Sequence, residues 1–414
     1  MIVVSDITRQ PSEGGAELRA TVTVEEAGRD RRVVWLRYPA ELSDRLSQTA
    51  NPFVPALLLP AMNLGTALKL DGPVSTRTLS GARKFMTIMH RWRPEYRPVE
   101  IQAEDVAESP IPGEAIGSFF SGGVDSFYTV LKNQHAANLP GAERISHLLF
   151  IRGFDIGLGG ADDRLYDRAL ECVRAAAAAL GKDVIRVATN LKEALEPLAD
   201  WNMYYGQALA SVALGLEGFL RRVYIPAGHT FVDAPPRGSH ALLDPLWGTG
   251  SLELIHDGGE ATRVEKVVWE VGRSPVALEH LRVCWENLEG AYNCGRCEKC
   301  IRTMVNLTVA GALDRCQTFD RELDLFEIAH LPIHDANDRT FVEENYEALA
   351  ARGGDPELLR ALETSLSRWA RWRPRALVHR LPPGLARAVV RFVWGADRAL
   401  LGGRLKRWYK RPRR

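Results

Sequence analysis

Two short stretches carry residue types whose spacing could do chemistry. The first is Ser121-Gly122-Gly123-Val124-Asp125-Ser126, which follows the apolar run "AIGSFF" and opens a segment free of Pro and Gly. Paired glycines let the main chain approach a bound group closely and adopt conformations closed to other residues. A helix starting at such a turn offers unpaired N–H groups and the positive end of its dipole, which makes an anion site. Ser121 and Ser126 could add hydroxyl donors to phosphate oxygens. Asp125 would repel phosphate, so it fits a magnesium ligand or the helix cap. The loop is not of the Walker A type, because no Gly-Lys-Ser/Thr follows it.

The second stretch is "VCWENLEGAYNCGRCEKCIRTM", with thiols at Cys284, Cys294, Cys297 and Cys300. Two overlapping C-x2-C steps, with Gly295 allowing the tight turn, can wrap four thiolates around one tetrahedral ion. Four sulfurs without histidine point to a closed structural zinc site. Arg296, Lys299 and Arg302 would offset its negative charge. An iron–sulfur cluster, or a cysteine that carries a persulfide, remains an alternative. Cys172, in an Ala-rich helix, and Cys316 read as small buried apolar side chains.

The elements around these stretches form three blocks. Residues 1–112 read as a small α+β domain: a hairpin from "AELRATVTVEE" and "RRVVWLRYP", a helix over 75–93 and a short strand at "PVEIQAED", closed by the linker "ESPIPGEA". Residues 113–310 alternate strands (115–120, 145–155, 183–189, 221–228) with helices (124–137, 161–181, about 203–220). That alternation predicts an α/β fold, a doubly wound parallel sheet with ligands at the carboxyl ends of its strands. Residues 311–414 read as helical, with an amphipathic stretch over 355–372.

The loop Ser121–Ser126 resembles the S-G-G-x-D-S signature of the N-type PP-loop ATP pyrophosphatases. Joined to the cysteine cluster, it is most similar to the 7-cyano-7-deazaguanine synthase family over about 115–310. The resemblance implies an adenine nucleotide alpha hydrolase-like (HUP) fold, ATP with magnesium, and a structural zinc on the four cysteines. It implies an enzyme in which a carboxylate or amide oxygen attacks the α-phosphorus, pyrophosphate leaves, and ammonia or an amine displaces AMP. Ser121, Gly122, Gly123, Val124, Asp125 and Ser126 would then bind ATP.

Phe120 and Phe154 lie at strand ends and either border the nucleotide or are core aromatics. Gly228 and His229 end the fourth strand and should face the α-phosphate. Arg263 and Lys266, in "TRVEKVVWEV", resemble the family's Lys-containing helix start before the final strand. They either neutralise pyrophosphate or are solvated helix charges. Asp155 could bind substrate or ribose, and "RGSHALLDPLW", with Arg237, Ser239, His240 and Asp244, reads as an acceptor-specificity loop. Phe154 and Asp155 match the family's run after the second strand, but the Gln-Arg-His part is absent, which leaves the acceptor open.

The chain of 414 residues has a net charge of +1, so no global field draws it to nucleic acid or membrane. No apolar run is long enough to span a bilayer, and Asp6 comes too early for a signal peptide, so a cytoplasmic protein is expected. The end of the chain, "RLKRWYKRPRR", is locally basic and aromatic. It fits an anionic membrane surface, which would make the protein membrane-peripheral, or RNA, or a solvated terminus. The rival functions are a tRNA sulfurtransferase-like enzyme, which would need a free catalytic cysteine, and a non-catalytic nucleotide-binding protein.

Overall fold

A computed structural model describes residues 1–25, 30–103, 112–136, 143–331, 333 and 336–371. The Gly28–Arg29 part of the expected hairpin link, residues 108–111 of the linker and the basic tail lie outside the described residues. Ten strands form one sheet: β1 (Ile2–Ser12), β2 (Gly15–Val24), β3 (Asp30–Tyr38), β4 (Leu68–Leu70), β5 (Ile101–Ala103), β6 (Ala115–Phe119), β7 (His147–Arg152), β8 (Asp183–Thr189), β9 (Leu220–Pro226) and β10 (Glu253–Asp257). Their order is β10-β9-β6-β7-β8-β3-β2-β1-β4-β5. The five strands from β10 to β8 are parallel, and the sheet as a whole is mostly parallel, an α/β architecture compatible with a doubly wound sheet.

Side-chain alternation explains why both faces are covered. In β7, Leu148 and Phe150 point into one core with α3 (Val124–Ala136), α4 (Asp163–Ala179) and α8 (Pro275–His280). Leu149 points into the other, with α1 (Phe53–Leu64) and α6 (Trp201–Leu214). A strand apolar on both sides needs helices on both sides. α6 is buried almost all round because α1, itself apolar from Phe53 to Met62 despite Pro60, covers its far face.

The boundary expected at 112 does not interrupt the sheet. β3 pairs antiparallel with β8 through Leu36–Thr189 and Arg37–Ala188. Side chains lengthen this short seam. Thr189 Oγ1 donates to Trp35 O at 2.7 Å, and Trp35 N donates to Asn190 Oδ1 at 2.9 Å. One core then runs from Ile2 and Val4 through to Val223 and Leu254.

The order of the last elements also differs from expectation. The fifth parallel strand, β10, precedes the Lys-containing helix α7 (Arg263–Trp269), and no strand follows that helix up to Cys284. After α9 (Glu298–Val309), helices α10 (Leu325–Ala329), α11 (Ala336–Ala351) and α12 (Pro356–Arg371) share a small core with Val264 and Ile301. Among the described residues no helix is long and apolar enough to cross a membrane.

Candidate functional site

Strand order locates a switch point before any side chain is considered. The chain moves from β6 outward to β7 and β8, then returns to the other side of β6 for β9 and β10. At such a reversal the loops after neighbouring strands run to opposite faces, which is where α/β sheets of this kind bind their ligands. The Ser121–Ser126 loop follows β6, and Ala227, Gly228 and His229 follow β9.

Gly122 has φ of 78°, a left-handed value that a side chain would strain. Its carbonyl accepts from Arg282 N at 2.8 Å, so the segment just before Cys284 pins the loop. Ser121 is exposed, and its Oγ accepts from Gly123 N at 3.3 Å. Ser126 is buried and donates to Gly123 O at 2.9 Å, which commits its hydroxyl hydrogen to shaping the turn. The first intrahelical bond runs from Phe127 N to Gly123 O, leaving the N–H groups of the first turn for an anion. The Val124 side chain is in the core. Phe120 is likewise packed as a core aromatic, 2 % exposed and edge-on to Phe127 at 4.9 Å.

Asp125 does not cap the helix; it pairs with two cations. Arg263 Nη2 donates to its Oδ2 at 2.6 Å, and Lys266 Nζ donates to its Oδ1 at 3.1 Å. Burial alone would raise the Asp125 carboxyl, but Arg263 and then Lys266 outweigh it and hold the group well below the usual carboxylate range. Both oxygens are thus engaged by cations, an arrangement that does not fit a magnesium ligand. Lys266 is 1 % exposed and also donates to Ala227 O at 2.6 Å, which ties α7 to the end of β9. α7 begins with a capping box, Thr262 Oγ1 accepting from Glu265 N and the Glu265 carboxylate from Thr262 N. That cap fixes the turn from which Arg263 and Lys266 project.

His229 lies beside these cations. Burial first, then Arg263 and Arg237, bring its imidazole down to about 3, so it stays neutral near pH 7. The unfolded chain takes up this proton near pH 6.5, whereas the folded protein resists until about 3. The stability held in His229 is therefore complete above pH 6.5 and lost as the pH falls from there toward 3. His229→Gln should flatten the fall in unfolding temperature between pH 6.5 and about 4; an unchanged slope would remove His229 from the acid response.

The loop 228–250 is shaped by helices on one face of the sheet and by β10. Gly206 of α6 lies under Gly238, where a Cβ would come 2.1 Å from the Gly238 carbonyl oxygen. From α2 (Thr76–Trp92), Phe85 packs on Trp247 at 4.8 Å, and Trp92 meets His240 edge-on at 5.0 Å. Asp244, expected to face substrate, is fully buried. It accepts from Ser239 Oγ at 2.7 Å and pairs with His256 Nδ1 at 2.7 Å, a hub that fastens the loop to β10. Arg237 is half-buried near Tyr205, whose hydroxyl is pushed up to about 12 by burial and by Asp244. Phe154 is half-buried against Trp201 at 5.0 Å. Asp155 is exposed, with its carbonyl accepting from Asn287 Nδ2 at 2.9 Å.

The four sulfurs of Cys284, Cys294, Cys297 and Cys300 all lie within 4.8 Å of one another. Cys284 and Cys297 Sγ are 3.9 Å apart, and Cys294 and Cys300 Sγ 3.8 Å. A tetrahedral ion with bonds of about 2.3 Å separates its sulfurs by about 3.8 Å. The spacing fits a single metal ion such as zinc; a multi-iron cluster needs wider sulfurs. Gly295, at φ 65°, turns the chain so that Arg296 N and Cys297 N point at Cys294 Sγ, at 3.5 and 3.3 Å. Cys172 and Cys316 are packed with the core that holds α4 and α8.

Four residues at the site were not legible as such. Arg282, Tyr205 and Phe341 carried no motif, although Arg282 and Arg302 bracket the cysteine cluster two residues outside it on either side. Arg302, expected to balance the thiolates, instead lies over the Phe341 ring at 3.8 Å. Burial, then Arg263, lowers its guanidinium to about 10. No protein-family model, no curated protein and no solved structure matches the chain.

Proposed function

We propose that the protein is an ATP-dependent ligase of the PP-loop type, forming AMP and pyrophosphate while joining nitrogen to a small-molecule carboxylate. The observation that carries this reading is the pair Arg263 and Lys266, closing on Asp125 directly beside the Gly122-Gly123 turn at the sheet's reversal point. Two cations, a glycine turn and a free helix N-terminus form an anion cradle suited to a polyphosphate. The resemblance of Ser121–Ser126 to the pyrophosphatase signature gives that anion its identity.

In this reading an acceptor oxygen forms a bond to the α-phosphorus, and the bond to pyrophosphate breaks. The departing charge is met by Arg263 and Lys266, which are already oriented and largely dry, so little reorganisation is needed. Nitrogen then attacks the acyl carbon, loses a proton, and AMP leaves with the bonding electrons. The exposed Ser121 contacts the phosphates, and neutral His229 lies near the reacting phosphorus. The loop 228–250 with Arg237 selects the acceptor. The thiolate cluster holds zinc, which is structural and keeps Arg282 on Gly122.

The test is release of AMP and pyrophosphate from ATP in the presence of ammonia and a panel of carboxylic acids. Ser121→Ala should lower turnover about tenfold or more, the loss that follows removing a preorganised donor. Wild-type turnover in that variant, or ADP as the product, would refute the reading.

A further inference from the structure

We infer that Phe341, on a helix outside the α/β sheet, is a positioning residue of the anion site, and that α11 is part of that site. The inference rests on the reading that Arg263 and Lys266 take the pyrophosphate end of the nucleotide. Phe341 is 5 % exposed, yet its neighbours are polar. The guanidinium carbon of Arg302 lies 3.8 Å from its ring centroid and that of Arg263 4.7 Å, while the His229 ring is 5.1 Å away and within 25° of parallel.

Two guanidinium groups brought this close should repel each other. An aromatic ring attracts both through the negative charge of its faces, more strongly where water is excluded. The ring therefore offsets the repulsion and sets the plane of each fork. Arg302 is 4 % exposed, and its Nε and Nη1 make no hydrogen bond among the described residues, although Glu298 Oε1 lies 3.2 Å from Nε. A buried guanidinium with donors to spare is ready for an anion.

The same helix brings further groups to both arginines. The Glu344 carboxyl lies within reach of the Arg263 charge, and Asn345 Nδ2 donates to Arg302 O at 3.3 Å. Ring, carboxylate and amide lie on adjacent turns of α11. The ring and the carboxyl face Arg263, whose guanidinium also grips Asp125, and the amide holds Arg302.

The test titrates inorganic pyrophosphate calorimetrically into the full-length, metal-loaded protein and three variants. Phe341→Leu keeps apolar bulk and removes the ring; it should bind about tenfold more weakly, with an unfolding temperature close to wild type. Phe341→Trp restores a ring and should bind within about twofold of wild type. Phe341→Ala should bind no better than the leucine variant. Wild-type affinity in Phe341→Leu overturns the inference. So does a loss in both Phe341→Leu and Phe341→Trp that tracks their unfolding temperatures, which would make the ring packing alone. Wild-type protein that does not bind pyrophosphate overturns it as well. Turnover of ATP decides the ligase reading separately: Phe341-dependent pyrophosphate binding without AMP release keeps this inference and removes that one.

Discussion

Asp125→Asn should bind inorganic pyrophosphate more tightly than the wild type, by about tenfold, while being less stable on its own by on the order of 3 kcal/mol. Both effects come from one geometry. Asp125 is the internal anion on Arg263 and Lys266, at 2.6 and 3.1 Å, and any phosphate must share or displace it. The asparagine removes that competition. It also leaves a lysine that is 1 % exposed with one carbonyl and no carboxylate, and stranded buried cations are costly. Adding pyrophosphate should therefore restore the unfolding temperature of Asp125→Asn more than it raises that of the wild type. Weaker binding by the variant would mean that Asp125 supports the anion rather than standing in for it.

Stripping the metal should have an effect of similar size, at a distance. The purified protein should carry about one thiolate-bound ion per chain. Cobalt substituted for it should show sulfur-to-metal charge-transfer absorption, a readout independent of turnover. Structural zinc in small domains is worth about 10–16 kcal/mol of apparent binding energy, so Cys297→Ser should unfold the segment around 281–300. That segment supplies Arg282 N, 2.8 Å from Gly122 O. Pyrophosphate affinity should fall by at least about tenfold as the glycine turn loses its pin. Metal-free protein that bound pyrophosphate normally would separate the two sites.

What the sequence disclosed, and what it hid, follows from the range of the interactions. Strand β8 was legible over its whole length, and α3 from its first residue, because their patterns are local: β-branched alternation in one, a turn signal and an unbroken apolar face in the other. Asp125, Arg263 and Lys266 could be nominated separately. That Arg263 and Lys266 converge on Asp125, 138 and 141 residues away, is a property of the reversal in strand order. α1 went unread because Pro55 and Pro60 interrupt a segment apolar on every side, which has no period to detect. The continuity of the sheet was hidden for the opposite reason. Its seam rests on two residue pairs and the side chains of Thr189 and Asn190, which no pattern marks. Asp244 looked like a substrate carboxylate because it sits in a Pro/Gly-rich loop. Its partners, Ser239 and His256, use it as a fastener.

The seam between β3 and β8 also bears on the order of synthesis. β3 ends at Tyr38, and its partner β8 does not begin until Asp183. On a ribosome adding about 5–20 residues per second, the edge of β3 waits on the order of ten seconds for that partner. During that interval the nascent N-terminal half presents an open strand edge and, in α1, an apolar helix whose main cover, α6, is still unmade. The edge is guarded by charge: Arg31, Arg32 and Arg37 line β3 and discourage pairing with a second nascent copy. Neutralising those arginines should therefore lower the yield of soluble protein from cells more than it lowers the stability of the finished fold.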